Sequence, residues 1–232
     1  MASSRTCVTS RPPWGSERVT KTFVSVTMSV DGYLAPPGRM EDLQGPAFDA
    51  WTARWGKLQD YVFHQEFFRR NLRIPGEGEK GPDNDWLRGV FERTGVTILG
   101  KRMFDGGEKF WPEEAPFHTP VFVVTHQKRE PWVRPGGTTF HFVNDGIHSA
   151  HRQALAVAGG RDVRIGGGGE TIAQFLRAGL VDELHVAVSP VMLGGGVRMF
   201  DGVDFGRLAL TPLPAPASPR VTHLRYAIGK QA

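Results

Sequence analysis

Cysteine is almost missing from this chain: one residue of 232, Cys7. A lone thiol closes no internal disulfide and builds no Cys-rich zinc site, so a metal centre of that kind is excluded and a cytoplasmic compartment is expected. Long apolar runs are missing too. No window approaches the roughly 18 consecutive apolar residues that mark a transmembrane helix, so no membrane partner is expected. Runs of Lys and Arg, the aromatic pattern of RNA-binding sheets and zinc-finger spacings are also absent. Net charge is only +4. Nucleic acid is therefore not the expected partner, and the basic excess suits either a solvated surface or an anionic small molecule. The opening residues carry Arg5, Arg11 and Arg18 but no apolar segment. They do not read as a signal peptide, and residues 1–20 are expected to form a mobile arm.

What the chain has is glycine, 29 of them, and four stand together in V-R-I-G-G-G-G-E-T-I at 163–172. Around them, short runs of β-branched residues alternate with segments of helical spacing. Strands are expected at 22–30, 96–99, 120–125, 138–143, 162–165 and 182–193. Helices are expected within 47–73, at 86–95 with Gly95 as the stop, from 101, at 146–159 with Ile147, Ala150, Ala154 and Val157 on one face, and at 170–179. Residues 35–46 and 75–85 read as Gly/Pro-rich loops. Two alternating stretches near the end, 205–213 and 220–229, read as a closing hairpin. Strands alternating with helices imply an α/β fold, a mixed and mostly parallel sheet covered on both faces, with an antiparallel hairpin at its end. No internal repeat or linker divides residues 21–230, which read as one domain.

Three features lie at the expected carboxyl ends of strands, where open α/β sheets bind ligands. Gly166, Gly167, Gly168 and Gly169 precede a helix opening with Glu170 and Thr171. Glycines admit a ligand close to the backbone, and a helix N-terminus offers unpaired N–H groups and a positive dipole end. The same run also suits a tight strand–helix connection packed on neighbouring backbone. It is neither G-x-G-x-x-G nor a Walker A sequence. Gly100, Lys101 and Arg102 follow a second strand, and Thr125 and His126 a third. Each suits a phosphorylated ligand, or an ordinary solvated surface. Together the three suit a phosphorylated dinucleotide: glycines for its pyrophosphate, cations for a 2′-phosphate.

The succession V-S-V-T-M-S-V-D-G-Y-L-A, T-I-L-G-K-R-M-F-D-G-G, P-V-F-V-V-T-H and R-I-G-G-G-G-E-T-I-A-Q-F-L-R-A-G-L-V-D-E-L-H-V-A-V-S-P-V-M-L-G-G-G resembles the dihydrofolate reductase-like family over about 21–228. The branch it resembles contains the C-terminal reductase domain of bifunctional riboflavin-biosynthesis proteins. The resemblance implies a three-layer α/β/α fold, an NADPH cofactor, a small heterocyclic substrate and a homodimer. In its terms Gly166, Gly167, Gly168, Gly169, Glu170 and Thr171 form the pyrophosphate loop. Gly100, Lys101 and Arg102 lie near the adenosine end, Thr125 and His126 flank the adenine ribose, and Asp31 and Gly32 turn beside nicotinamide and substrate. Lys101 stands where Arg is usual and Met103 where Thr is common, so a bidentate fork becomes a point charge and a hydroxyl is lost.

The implied activity is hydride transfer by an NADPH-dependent oxidoreductase. The nearest named one is 5-amino-6-(5-phosphoribosylamino)uracil reductase of riboflavin biosynthesis, beside a relative of unassigned substrate. Asp31 is the expected proton relay, or else a turn residue bonding its own backbone. Trp51, Trp55, Phe63, Phe67 and Phe68 either stack on a flat substrate or form core. Glu66, Arg69 and Arg70 either meet a substrate phosphate or face water. The zinc-deaminase motifs of the bifunctional proteins are absent. A nucleotide-binding module without turnover is the competing class.

Overall fold

The computed structural model describes residues 19–204, 206 and 208–230. The arm expected over 1–20, Cys7 with it, lies outside the described residues except for residues 19 and 20. In chain order the strands are β1 (Thr22–Ser29), β2 (Tyr33–Ala35), β3 (Thr94–Gly100), β4 (Val121–Val124), β5 (Trp132–Val133), β6 (Thr139–Val143), β7 (Asp162–Gly167), β8 (Glu183–Ser189), β9 (Val197–Arg198), β10 (Leu208–Pro212) and β11 (Thr222–Lys230). The α-helices are α1 (Gly45–Leu58), α2 (Asp60–His64), α3 (Glu66–Asn71), α4 (Pro82–Arg93), α5 (Lys101–Glu108), α6 (Ile147–Val157) and α7 (Gly169–Arg177).

Nine strands form one sheet in the order β10-β11-β8-β1-β7-β3-β4-β6-β5. The run from β8 to β6 is parallel throughout. The closing hairpin β10–β11 and the short β5 add antiparallel edges, and β2 pairs with β9 outside this sheet. This is the mixed, mostly parallel sheet that strand–helix alternation implies.

The period of two in β1 sets the two faces of the sheet. Val24, Val26 and Met28 join Ile98, Val163, Ile165, Leu184 and Val186 in one continuous core with Ala150, Ala154, Ile172 and Phe175 of α6 and α7. The opposite face is divided. Leu99, Phe104, Val121, Val123 and Phe140 form one cluster, under α5 and Trp111. Tyr61, Leu87, Ala187 and Val221 form another, under α2 to α4.

A buried polar network ties α4 to the sheet on this divided face. Arg93 reaches Asp162 at 2.6 Å and Glu183 at 3.0 Å, and Lys21 and Arg225 also pair with Glu183. These partners and a bond to His185 hold the Glu183 carboxyl far below its usual range. Asp83 accepts from Ser218 and bonds His223, while Trp86 lies over His223 at 4.6 Å and His185 at 5.2 Å.

Several expectations need correction. The helix expected at 86–95 begins at Pro82, whose fixed φ suits a first turn, and ends at Arg93. Gly95 does not stop it but lies in β3, where a Cβ would sit 2.2 Å from the Ala158 carbonyl oxygen. The strand expected over 182–193 ends at Ser189, before Pro190. The loop over 35–46 contains a 3-10 turn at Met40–Asp42 and the start of α1. Val157 is exposed, and Ala158 takes its place in the core. Two of the four glycines, Gly166 and Gly167, belong to β7 itself.

Two outcomes are expected. Gly95→Ala must displace the 158–161 turn and cost about 1–3 kcal/mol, as overpacking does, measured by urea unfolding. Burial depresses the pKa of both His185 and His223 below 6.5. In acid the unfolded chain therefore takes up these protons before the folded one. Their contribution to stability is complete above pH 6.5 and is lost as pH falls below it. Melting temperatures across that range should fall less steeply for His223→Gln than for the parent.

Candidate functional site

The order β1-β7-β3-β4 puts four carboxyl ends on one edge of the sheet. The turn at Asp31 and Gly32 follows β1, the glycine run ends β7, Gly100 ends β3, and Thr125 and His126 follow β4. Parallel pairing therefore puts these four segments on one edge of the sheet. It also places the N-termini of α5 and α7 on adjacent strands.

The four glycines divide by what a side chain would meet. A Cβ on Gly166 would lie 2.9 Å from Leu99 Cδ2, and one on Gly169 would lie 2.7 Å from the Arg198 carbonyl oxygen. Those two permit packing. Gly167 has φ of 126°, a conformation side chains disfavour, and a Cβ there would be 3.7 Å from the Met103 sulfur. A Cβ on Gly168 would meet nothing within 4 Å. Of the middle pair only Gly168 opens on free space, Gly167 being buried against Met103, while the outer pair holds the turn against β3 and β9. Gly168 caps α7, leaving the N–H groups of Gly169, Glu170 and Thr171 outside the helical ladder, which starts with Ile172 to Gly168. The Glu170 carboxylate turns away, onto Arg177 at 2.7 Å and Gln174 at 3.1 Å. Only its backbone belongs to the turn.

Gly100 is fixed by the same junction. A Cβ on it would lie 2.1 Å from Thr171 Oγ1, so only glycine lets β3 end against the first turn of α7. Lys101 and Arg102 then open α5. Lys101 Nζ is held by both oxygens of Asp105, one turn on, at 2.5 and 2.7 Å. Arg102 is half-exposed, 3.9 Å from Glu41. Glu41 also pairs with Arg39, which reaches Asp42 as well. Lys101, Arg102 and Arg39 are thus matched by Asp105, Glu41 and Asp42. Thr125 is buried, its hydroxyl accepting the Gln127 N–H at 3.0 Å, and His126 lies exposed beside it.

Asp31 is bonded at both carboxylate oxygens. Its carboxylate accepts from Ser29 Oγ at 2.6 Å, from the Leu193 N–H at 3.1 Å and from the Gly194 N–H at 2.7 Å. The Ser29 bond first, and the two backbone donors with it, push its pKa down to about 2. A carboxylate ionised across the neutral range cannot hand over a proton there. Asp31 is a clamp joining the β1 turn to the segment after β8. Ser29 and the Leu193–Gly194 backbone were not singled out in the sequence. The Ser-x-Asp-Gly spacing held the signal for Ser29, but backbone donors 162 residues away leave none.

The aromatic residues of α1 to α3 mostly touch one another. Trp55 meets Phe63 edge-on at 5.9 Å, Phe63 meets Phe68 at 5.6 Å, and Phe67 meets Phe91 at 5.3 Å. Trp51 stacks on Trp55, yet its buried Nε1 has no acceptor. Arg69 donates to the Phe63 and Pro75 carbonyls, and Arg70 pairs with Glu66. An open cavity of about 380 Å³, lined by Lys57, Tyr61, Ser189 and Arg220, adjoins the carboxyl end of β8. Among the described residues no cluster has the composition of a metal site, and no helix is long and apolar enough to cross a membrane.

Fold and edge together define an α/β protein of the dihydrofolate reductase-like, reductase-type class. The profile of the RibD C-terminal domain matches residues 20–222, and the chain belongs to that family. A curated relative, the uncharacterized protein YwjB of Bacillus subtilis (strain 168), is 27% identical over 131 residues. That match covers 54% of this chain and 66% of YwjB, just under two thirds of its length. A Shewanella sp. PV-4 structure described as a riboflavin biosynthesis protein superposes with a TM-score of 0.61 at 20% identity, covering 91% of this chain and all of its own. A dihydrofolate reductase from Enterococcus faecalis, solved with NADP(H), covers 90% of this chain and 97% of its own at 14% identity and a TM-score of 0.46.

The Asp31 clamp has a pH signature. A carboxyl whose folded pKa is depressed stabilises fully above its unfolded value of 3.8 and loses that contribution as pH falls toward about 2. Asp31→Asn should therefore melt below the parent at pH 6 and converge with it in acid (between about pH 4 and 2). The check is melting temperature against pH for both proteins.

Proposed function

We propose that the protein is an NADPH-dependent reductase that delivers hydride to a small heterocyclic substrate. The nearest named activity is 5-amino-6-(5-phosphoribosylamino)uracil reductase, and a related reduction of another flat ring is the variant of the same reading. One observation carries it: two helix N-termini, those of α5 and α7, stand on adjacent strands beside Gly168, whose Cβ position is open. Unpaired N–H groups converging on an accessible backbone suit a pyrophosphate.

The donor set fits the cofactor. Gly167, Gly168, Gly169, Glu170 and Thr171 would hold the pyrophosphate through backbone N–H groups, with Gly100 and Thr171 fixing the junction. Arg102 and His126 are the exposed groups that would meet the adenosine end, and Thr125 would shape the turn beneath it. Asp31 and Gly32 would set the position of the 190–196 segment beside the reacting ring. The bound cofactor would supply the hydride. The protein's part is to orient, and to exclude water over the reacting face. Asp31, being ionised, orients and does not protonate.

The charge balance at the edge bears on NADPH against NADH. Asp105 neutralises Lys101, so discrimination by a 2′-phosphate rests mainly on Arg102. Exposed pairs of this kind are worth about 0.2–1 kcal/mol, which corresponds to a few-fold in affinity.

Titration calorimetry with NADPH and with NADH tests the reading. Binding in the micromolar range that Gly167→Asp abolishes is the expected result. Asp105→Asn should raise the preference for NADPH over NADH a few-fold at low salt. No binding of either nucleotide overturns the reductase reading. Binding with no turnover against pteridine and pyrimidine acceptors would leave a nucleotide-binding module in its place.

A further inference from the structure

The cavity of about 380 Å³ at the carboxyl end of β8 takes no part in the proposed cofactor site. In the sheet, β1 stands between β8 and the strand that carries the glycine turn, β7. Three separate parts of the chain wall the cavity: the junction of α1 and α2, the residues that follow β8, and the approach to β11.

Most polar groups of this lining are already engaged. Arg220 donates to Glu79 from Nε and one terminal nitrogen, and to Asp60 from the other at 3.0 Å. The Tyr61 hydroxyl is bonded to Thr27, and burial holds its pKa above the usual phenol range, so Tyr61 offers the cavity a ring. Pro190 and Pro219 have no N–H to give. The Val191 N–H bonds the Ser189 carbonyl at 2.7 Å, and the Val191 carbonyl accepts from Val30 at 2.9 Å.

Two groups of the lining remain. Lys57 is exposed and forms no ion pair among the described residues. Ser189 is only 3% exposed, and its hydroxyl has no hydrogen-bond partner among the described residues. The period of two along β8 puts its side chain on the face of Ala187, which packs in one cluster with Tyr61. A buried hydroxyl without a partner carries a cost that an acceptor on a ligand would remove. An ammonium and a hydroxyl both donate, so the complementary ligand group is an acceptor, and the ammonium favours a charged one. One unpaired cation with the Asp60 carboxylate in the same lining suits a monoanion better than a dianionic phosphate. Only one aromatic ring lines the cavity, so no pair of rings sandwiches a flat ligand.

We propose that this cavity is a second binding site, separate from the cofactor edge, and that it takes a small aliphatic carboxylate. The carboxylate accepts from the Ser189 hydroxyl and pairs with the Lys57 ammonium, while the aliphatic body lies against Tyr61, Val191 and the two prolines. The site does not depend on the reductase reading.

The test is titration calorimetry of the full chain, without nucleotide and at fixed ionic strength, with hexanoate, neutral hexanamide and butyl phosphate. Hexanoate should bind about fivefold or more tighter than hexanamide, the upper end of what an exposed ion pair gives, and tighter than butyl phosphate. Lys57→Met should bring hexanoate down to the hexanamide level, and Lys57→Arg, which keeps the charge, should retain most of the preference. Ser189→Ala should weaken hexanoate roughly threefold or more, as loss of one hydrogen bond does. Gly167→Asp, at the glycine turn, should bind hexanoate as the parent does. Absence of saturable hexanoate binding, equal binding of hexanoate and hexanamide, or a preference that survives Lys57→Met overturns the proposal. Tighter binding of butyl phosphate overturns the choice of a carboxylate, and loss of hexanoate binding in Gly167→Asp overturns the separation of the two sites. A parent that fails to bind NADPH overturns the reductase reading instead and leaves the hexanoate result standing.

Discussion

A tight constraint at the functional edge is the contact between Gly100 and Thr171. With 2.1 Å between the Cβ site of one and the hydroxyl oxygen of the other, a side chain at residue 100 would have to displace the Thr171 hydroxyl. The end of β3 therefore touches the first turn of α7, and α5 begins where α7 begins. Two helix N-termini come to adjacent strands only because this junction closes. Gly166 and Gly169 act in the same way against β3 and β9, so three glycines position backbone, and of the other two only Gly168 opens on free space.

The sheet meets two different demands on its two faces. One face is a continuous apolar layer under α6 and α7, which supplies the hydrophobic stabilisation. The other carries a buried ionic network at the amino-terminal end of β8 and, on β7, Arg164 against the Phe91 ring of α4. Glu183, with Arg93, Lys21 and Arg225 around it, fixes α4 on the sheet by charge-assisted hydrogen bonds. Such networks rarely add net stability over an apolar core, but breaking one partner leaves an uncompensated charge. Helix α4 is thereby held in one place by charge as well as by the apolar contacts of Leu87.

Much of the fold was legible because its signals are local. Alternation in 22–30 and in the two late stretches, and the helical spacing in 170–177, report burial within a few residues. Signals failed where distant parts decide. Gly95 reads as a helix stop in one dimension, yet it is a strand residue cleared for the Ala158 carbonyl. Strands β5 and β9, of two residues each, are too short to show a period. The glycine run was visible as a run, but its division into packing and open positions depends on Leu99, Met103 and Arg198, none near it in sequence. The bonds that hold the Asp31 carboxylate have no local signal, since its backbone donors come from residues 193 and 194. Arg164 was read only as part of a strand. A cation in an otherwise apolar strand was the available clue, and its lack of a partner is a property of three dimensions.

At the edge, Lys101, Arg102 and Arg39 each face an acidic side chain. On the proposed reading, the attraction for a phosphorylated ligand therefore draws on backbone N–H groups and helix dipoles as well as on side-chain charge. Those backbone groups do not titrate, and a side-chain substitution does not remove them. Cofactor recognition is then largely a property of the fold, carried by the strand ends and helix starts that parallel pairing sets side by side.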